Sequence, residues 1–101
     1  MNRIHVLVPK FLNQDEYLKF KNSANDSNKL NDTLLEYELT VINFIITMKN
    51  DDTVIHRDYI SISDMLKWLS GNKYKNINKN RALYYAHIAR IQYCKKTNSD
   101  Q

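Results

Sequence analysis

The sequence predicts a single, mainly α-helical domain with a short extended segment at its amino end. Its 101 residues include only one glycine and one proline, whereas β-sandwiches and barrels need many turn residues that tolerate positive φ. Apolar residues make up 43% of the chain, which is enough for one modest hydrophobic core and too many for a wholly disordered chain. We therefore expect one domain over residues 1–101.

The amino-terminal stretch has the composition of a strand. Residues 3–8 alternate weakly between apolar and polar and are rich in β-branched side chains. Pro9 then removes a backbone donor from any ladder that this stretch could join. Residues 1–12 are therefore predicted to form a short strand or an extended arm.

Capping patterns predict two helices in the amino-terminal half. Asn13 precedes Glu16 by three residues, which is the spacing of a capping box and predicts a short helix over residues 14–22. A second capping box opens the segment 34–48, whose length favours one helix over a pair of buried strands. The polar, Asn-rich segment 22–31 between the two helices is interpreted as a loop.

The carboxyl-terminal half is predicted to contain two more helices. Residues 53–60 form an extended connection that can include a short strand. Ser61 is an N-cap for an amphipathic helix that closes at residues 70–71, where the only glycine lies. Asn78 is the predicted cap of a last helix that runs to about residue 96.

Helical periodicity also predicts the hydrophobic core. The segment 34–48 is apolar nearly all round, which is typical of a central buried helix. The two later helices each carry one apolar face that would pack against it. The predicted core residues are Leu34, Leu35, Leu39, Ile42, Ile45, Ile46, Met65, Leu66, Leu69, Leu83, Ile88 and Ile91.

Charge is segregated along the chain. The segment from Met65 to Ser99 contains eight basic residues and no acidic residue, whereas the remainder contains seven basic and eleven acidic residues. A helix face that only meets water usually carries both signs of charge. The carboxyl-terminal half is therefore predicted to bind a negatively charged partner.

A short helix, a turn and a longer helix are the elements of a helix-turn-helix, whose second helix enters the DNA major groove. On a helical wheel, Arg81, Tyr85 and Gln92 lie opposite the apolar face of Leu83 and Ile91. Because arginine and amide side chains pair with base edges and lysine neutralises phosphate, we expect a helical core over residues 33–96 that binds double-stranded DNA. The predicted contact residues are Lys73, Lys75, Asn78, Lys79, Arg81, Tyr85, Gln92 and Lys96.

Four stretches occur in order along residues 5–91: HVLVPKFLNQDEYLKF, LLEYELTVINFIITMKNDD, YISISDMLKWLSGN and NKNRALYYAHIARI. This order resembles the amino-terminal winged-helix domain of Gram-positive plasmid and phage replication initiator proteins. In that family a segment x-I-P-K-x-L, matched here by residues 8–12, precedes a long helix and a DNA-reading helix-turn-helix. The resemblance implies a winged-helix-like fold and a small transcriptional regulator or replication accessory protein. It also implies DNA-facing positions for Lys79, Arg81, Ala82 and Tyr85.

Other partners are compatible with the same basic half. Tyr74, Tyr84, Tyr85 and Tyr93 suit single-stranded nucleic acid, whose bases stack on aromatic rings. The alternative function is a phage- or plasmid-encoded inhibitor that binds a host protein or nucleoprotein complex through its basic face. A homodimer is also expected, through residues 4–11 and the central helix, because one helix-turn-helix makes few base contacts.

No enzymatic activity, metal site or cofactor is predicted. His5, His56 and His87 are far apart in the chain, and none has metal-ligand spacing with Cys94 or a carboxylate. No apolar run reaches the ~20 residues of a membrane span, and Pro9 ends the first apolar run before a signal-peptide core could form. A lone cysteine agrees with a reducing compartment, so a cytoplasmic location without a membrane partner is expected.

Overall fold

Four α-helices and a two-stranded parallel sheet form residues 3–93, the part of the chain that the computed structural model describes. Helix accounts for 59% of the structure, which confirms the prediction of a mainly helical domain. The elements in chain order are β1 (Ile4–Lys10), α1 (Gln14–Ser23), a 3-10 turn (Ser27–Lys29), α2 (Leu34–Met48), β2 (Thr53–Tyr59), α3 (Ile62–Gly71) and α4 (Asn78–Tyr93).

The two strands lie side by side and run in the same direction. Their register places Ile4 opposite Thr53 and Lys10 opposite Tyr59. Parallel strands need a long crossover connection, which α1, the 3-10 turn and α2 provide together. Of the two alternatives for the amino-terminal stretch, the structure has the strand, because β1 is hydrogen-bonded to β2 and partly buried.

The carbonyl group of Pro9 connects β1 to α2 and to β2. That oxygen accepts hydrogen bonds from the Tyr37 hydroxyl on α2 (2.7 Å) and from Arg57 Nη2 on β2 (3.1 Å). The Arg57 guanidinium also donates to both carboxylate oxygens of Glu38 on α2, at 3.2 and 2.8 Å. Polar contacts therefore fasten α2 to the sheet.

The predicted helix starts follow the capping side chains. Asn13 accepts a hydrogen bond from the Glu16 backbone N–H (2.9 Å), and Ser61 accepts one from the Asp64 N–H (3.1 Å). Thr33 opens α2 with a complete capping box, in which both reciprocal hydrogen bonds form. Local sequence alone therefore determines where these three helices begin.

The core is aromatic and lies between α1, α3, α4 and the end of β1. Phe11 contacts Phe20 and Tyr37 at ring-centroid distances of 4.8 and 5.3 Å. Tyr17 is fully buried, and its hydroxyl donates to the Asn31 carbonyl (2.6 Å), so its polar atom is satisfied. The buried cluster is Phe11, Tyr17, Phe20, Met65, Leu69 and Tyr84.

Only part of the predicted core is inside. Met65 and Leu69 are buried, and Leu34 and Ile88 pack against the cluster from its edge. The prediction failed for α2 because an apolar pattern on all sides does not say which face turns inward. The predicted core residues that are exposed are Leu35, Leu39, Ile42, Ile46, Leu66, Leu83 and Ile91.

The face of α4 that meets the core also differs from the prediction. Arg81, Tyr84 and Ala89 are buried, whereas Leu83 and Ile91 are half-exposed. Helix α4 is turned about its axis, so that the apolar face of the helical wheel does not point to the core, because Arg81 has a partner inside the molecule. A groove of about 600 Å³ remains between β1, α2 and α4, with a largely apolar lining.

Replacing Leu69 by alanine tests the position of the core. This side chain is 2% exposed, so Leu69→Ala should lower the free energy of unfolding by about 2–5 kcal/mol. Leu12→Ala is the matched control, because Leu12 is 71% exposed and its truncation should change stability by less than about 0.5 kcal/mol. Urea unfolding followed by circular dichroism measures both, and equal losses would contradict the described core.

Candidate nucleic-acid interface

The turn between α3 and α4, together with the first turn of α4, presents a group of lysines to solvent. Lys73, Lys75 and Lys79 are all exposed. Within residues 3–93, none of the three forms an ion pair with a carboxylate. Two further cations, Lys67 on α3 and Arg90 on α4, are exposed as well. We call Lys73, Lys75 and Lys79 together the basic turn.

Lys73 occupies a backbone conformation that favours glycine. The Tyr74 N–H donates to the Leu69 carbonyl (2.9 Å) and the Lys73 N–H donates to the Ser70 carbonyl (3.0 Å), which is a Schellman motif at the end of α3. Lys73 has φ 61°, whereas Gly71, the expected helix stop, keeps a negative φ. A charged residue therefore stands where glycine would be less strained.

The basic turn is held against the loop that follows α1. The Asn76 backbone N–H donates to Asn25 Oδ1 (2.9 Å), and the Asn25 N–H donates back to the Asn76 carbonyl (2.8 Å). Asn76 Nδ2 donates to the Ser23 carbonyl (3.1 Å), and Asn80 Nδ2 donates to the Lys75 carbonyl (3.0 Å). These bonds fix the backbone from which the lysines project.

Arg81 lies at the centre of this contact and is only 1% exposed. Its guanidinium donates to both carboxylate oxygens of Asp26, at 2.9 and 3.1 Å. It also donates to the backbone carbonyl and the side-chain oxygen of Asn76, at 3.0 and 2.9 Å. The hydrogen bond from Arg81 holds the pKa of the Asp26 carboxyl below its usual value. The prediction that Arg81 faces DNA is therefore wrong, because its donors are already used inside the protein.

Asp26 also caps α4. Its Oδ2 atom accepts a hydrogen bond from the Asn78 backbone N–H (2.9 Å), although the two residues are 52 positions apart. The predicted cap by the Asn78 side chain is therefore wrong, since Asn78 is the first helical residue. A carboxylate at this end is favourable because the helix dipole is positive there.

The remaining predicted contact residues fall into three groups. Asn78, Lys79 and Gln92 are exposed. Tyr85 is half-buried at the edge of the core, and burial raises the pKa of its hydroxyl, so it is not the exposed residue that the wheel predicts. Lys96 lies outside the described residues, as does Cys94.

The tyrosines of the basic half do not form one exposed surface. Tyr74 is exposed within the basic turn, and its ring lies 5.8 Å from that of Trp68. Tyr84 is buried, and the Tyr93 ring stacks on His56 at 3.6 Å. Of the four tyrosines predicted to stack on bases, Tyr74 is therefore exposed, whereas Tyr84 is buried, Tyr85 is half-buried and Tyr93 is stacked on His56.

The sheet brings together two histidines that are remote in sequence. His5 Nδ1 and His56 Nε2 lie 2.9 Å apart, and the Tyr93 hydroxyl donates to Asp58 beside them. Burial, with the nearby His5 as the next cause, lowers the pKa of His56. Across residues 3–93, no three His, Cys, Asp or Glu side chains are grouped so as to hold a metal ion. His87 is partly buried and stacks on Trp68.

The Arg81 pair should be essential for folding. Arg81→Ala leaves the Asp26 carboxylate buried without its partner, so we expect a loss of about 3–5 kcal/mol in the free energy of unfolding. Lys79→Ala, two residues earlier and exposed, should change it by less than about 0.5 kcal/mol. Urea denaturation of both variants measures the difference, and an Arg81→Ala variant with wild-type stability would contradict the buried pair.

The His56 pKa predicts a pH dependence of stability. Folding lowers the pKa of His56 below its unfolded-state value of about 6.5. As the pH falls through that value, the unfolded state therefore binds more protons than the folded state does. The stabilisation is present above that pH and is lost as the pH falls, so the urea midpoint should decrease from pH 7.5 toward pH 5.5. His56→Gln should reduce this decrease, and an unchanged decrease in His56→Gln would contradict the assignment.

The described part of the chain, residues 3–93, has no helix that combines the length and apolar character needed to cross a membrane. The chain matches no protein-family model, no curated protein and no solved structure. The resemblance to replication initiator domains accordingly stays a prediction from the sequence.

Proposed function

We propose that the protein binds nucleic acid, with double-stranded DNA as the preferred form, through the basic turn. The observation that carries this proposal is the exposure of Lys73, Lys75 and Lys79 without a carboxylate partner among residues 3–93. Lysines that no internal carboxylate neutralises can replace the counterions of a phosphate backbone.

The state of Asp26 supports the proposal. This carboxylate accepts a hydrogen bond from the Asn78 N–H, next to Lys79, yet Arg81 neutralises it inside the protein. The positive potential of the three lysines therefore stays at the surface. The hydrogen bonds between the turn and the loop after α1 hold the lysines in place before binding, which reduces the entropy lost on binding.

Lys73 gives independent support. A non-glycine residue in the left-handed region costs on the order of 1 kcal/mol, and such strain is concentrated at functional sites. Glycine would relieve the strain but remove the charge. The presence of lysine at this position favours a role for the charge itself.

Duplex DNA is favoured over a single strand because the basic half offers few rings for stacking. Tyr74 is exposed, but Tyr84 is buried and Tyr93 is stacked on His56. With Arg81 inside the protein, the exposed residues at the start of α4 are Asn78 and Lys79. We therefore expect phosphate contacts to dominate and sequence preference to be modest.

The biological role that we propose for this binding is that of a small DNA-binding regulator or replication accessory protein of a phage or plasmid. The support for that role is the resemblance to initiator domains and the helix, turn and helix order of α3 and α4. We propose in addition that the fold is winged-helix-like and that the protein is located in the cytoplasm.

The salt dependence of DNA binding tests the proposal. Fluorescence anisotropy with a duplex of about 20 base pairs, between about 50 and 200 mM salt, gives the slope of log K against log salt. Three phosphate contacts predict a slope of about −2.7. A slope near zero, or no binding at low salt, would contradict the proposal and favour the alternative of a host-protein inhibitor.

Lys73→Gly separates binding from folding. Relief of the left-handed strain should raise the free energy of unfolding by about 1 kcal/mol. Loss of one phosphate contact should weaken duplex binding and reduce the salt slope by about 0.9. A variant that is more stable and binds less tightly cannot owe its weaker binding to misfolding.

Lys19→Ala is the matched control for charge. It removes one lysine from the exposed surface of α1, where Glu16 already pairs with it at 2.9 Å. The salt slope should stay at the wild-type value in this variant. An equal effect of Lys19→Ala and Lys73→Gly would show that net charge matters and that the basic turn is not the site.

A further inference from the structure

Helix α2 carries two apolar stripes on opposite sides. One stripe, with Tyr37, Val41 and Phe44, faces the sheet and the groove beside it. On a helical wheel at 100° per residue, the centre of the second stripe lies roughly 200° from the centre of the first. All side chains of the second stripe fall within an arc of about 60°. Its members, which we call the outer stripe, are Leu35, Leu39, Ile42 and Ile46.

The outer stripe has no partner within residues 3–93. Leu35, Leu39, Ile42 and Ile46 are 70%, 53%, 51% and 67% exposed. Polar residues border the stripe, with Glu36 and Asn43 along one side. A contiguous apolar patch with a polar border is typical of a protein interaction surface and not of a face that meets only water.

The spacing of the outer stripe points to a second copy of the same chain. Steps of four, three and four residues are those of a coiled-coil seam. The stripe is also symmetric about its own centre, so an antiparallel copy places Leu35 opposite Ile46 and Leu39 opposite Ile42. We propose that the protein forms a two-fold symmetric dimer in which α2 packs antiparallel against α2 of the partner through the outer stripe.

Charges at the two ends of α2 agree with this arrangement. Asp32 lies just before the helix and Lys49 just after it, equally far from the centre of the outer stripe. Both are exposed, and Lys21 of the same copy lies 3.9 Å from Asp32, so the antiparallel register brings Lys49 of the other copy to Asp32 as a second cation. A parallel arrangement would instead bring the two Asp32 carboxylates together.

The available area predicts a dissociable dimer. An aliphatic side chain carries on the order of 100 Å² of apolar surface, so the outer stripe offers roughly 250 Å² per copy. That is well below the about 800 Å² per partner of a standard stable interface. We therefore expect a weak dimer that dissociates on dilution.

Sedimentation equilibrium of the full chain without nucleic acid tests the dimer independently of the proposed function. The weight-average mass should rise with concentration from 12.0 kDa toward twice that value. Ile42→Glu should raise the dissociation constant at least about tenfold, because a charge would enter the apolar seam. Leu83→Glu, at a residue 49% exposed on α4, is the matched control and should leave the constant unchanged.

A charge reversal identifies the partner as a second copy. Lys49→Glu should weaken the dimer, and Lys49→Glu combined with Asp32→Lys should restore it, since both charges of the pair are then exchanged. A wild-type chain that stays monomeric at several hundred micromolar, or a double variant no better than the single one, would overturn the proposal. An equal effect of Leu83→Glu and Ile42→Glu would overturn it too.

Discussion

The buried ion pair between Arg81 and Asp26 is the constraint on which the rest of the structure depends. It joins the loop after α1 to the first turn of α4, two segments separated by 55 residues. Because a buried guanidinium must have all its polar partners in place, this pair sets the rotation of α4 about its axis. Its guanidinium also lies over the Phe20 ring at 5.4 Å, which connects the pair to the aromatic core.

The same pair also determines the charge of the candidate site, because it takes one arginine and one carboxylate away from the surface. Arg81 is withdrawn from any external partner, and Asp26 is neutralised where it would otherwise oppose the lysines of the basic turn. The positive surface of this region therefore comes from flexible lysine side chains on a backbone that hydrogen bonds hold in place. Such a surface fits a repeating phosphate backbone better than a specific base edge, because ammonium groups lack the planar fork of arginine.

Helix α2 differs from α4, because polar contacts hold it in place while much of its apolar surface lies outside the core. Polar contacts through Tyr37, Arg57 and Glu38 fasten it to the sheet, while most of its apolar surface stays outside the aromatic cluster. A helix that is apolar on all sides needs partners on all sides. A dimer through the outer stripe would cover the surface that the monomer leaves open, and it would present two basic turns to one partner. Two such turns on one duplex would raise the effective affinity without new contacts in either copy.

The sequence by itself determined where most of the elements lie, whereas the start of α4 depends on Asp26, 52 residues away. Caps at Asn13, Thr33 and Ser61 set helix starts through hydrogen bonds that span only three residues, and local patterns therefore located the helices and both strands. Tertiary structure alone decided which faces turn inward and which distant groups meet. The parallel pairing of the strands, the contact of His5 with His56, and the burial of Arg81 against Asp26 all join residues about 50 positions apart. No local periodicity encodes such pairs, because the free energy of a buried charge depends on a partner that only the folded chain brings near.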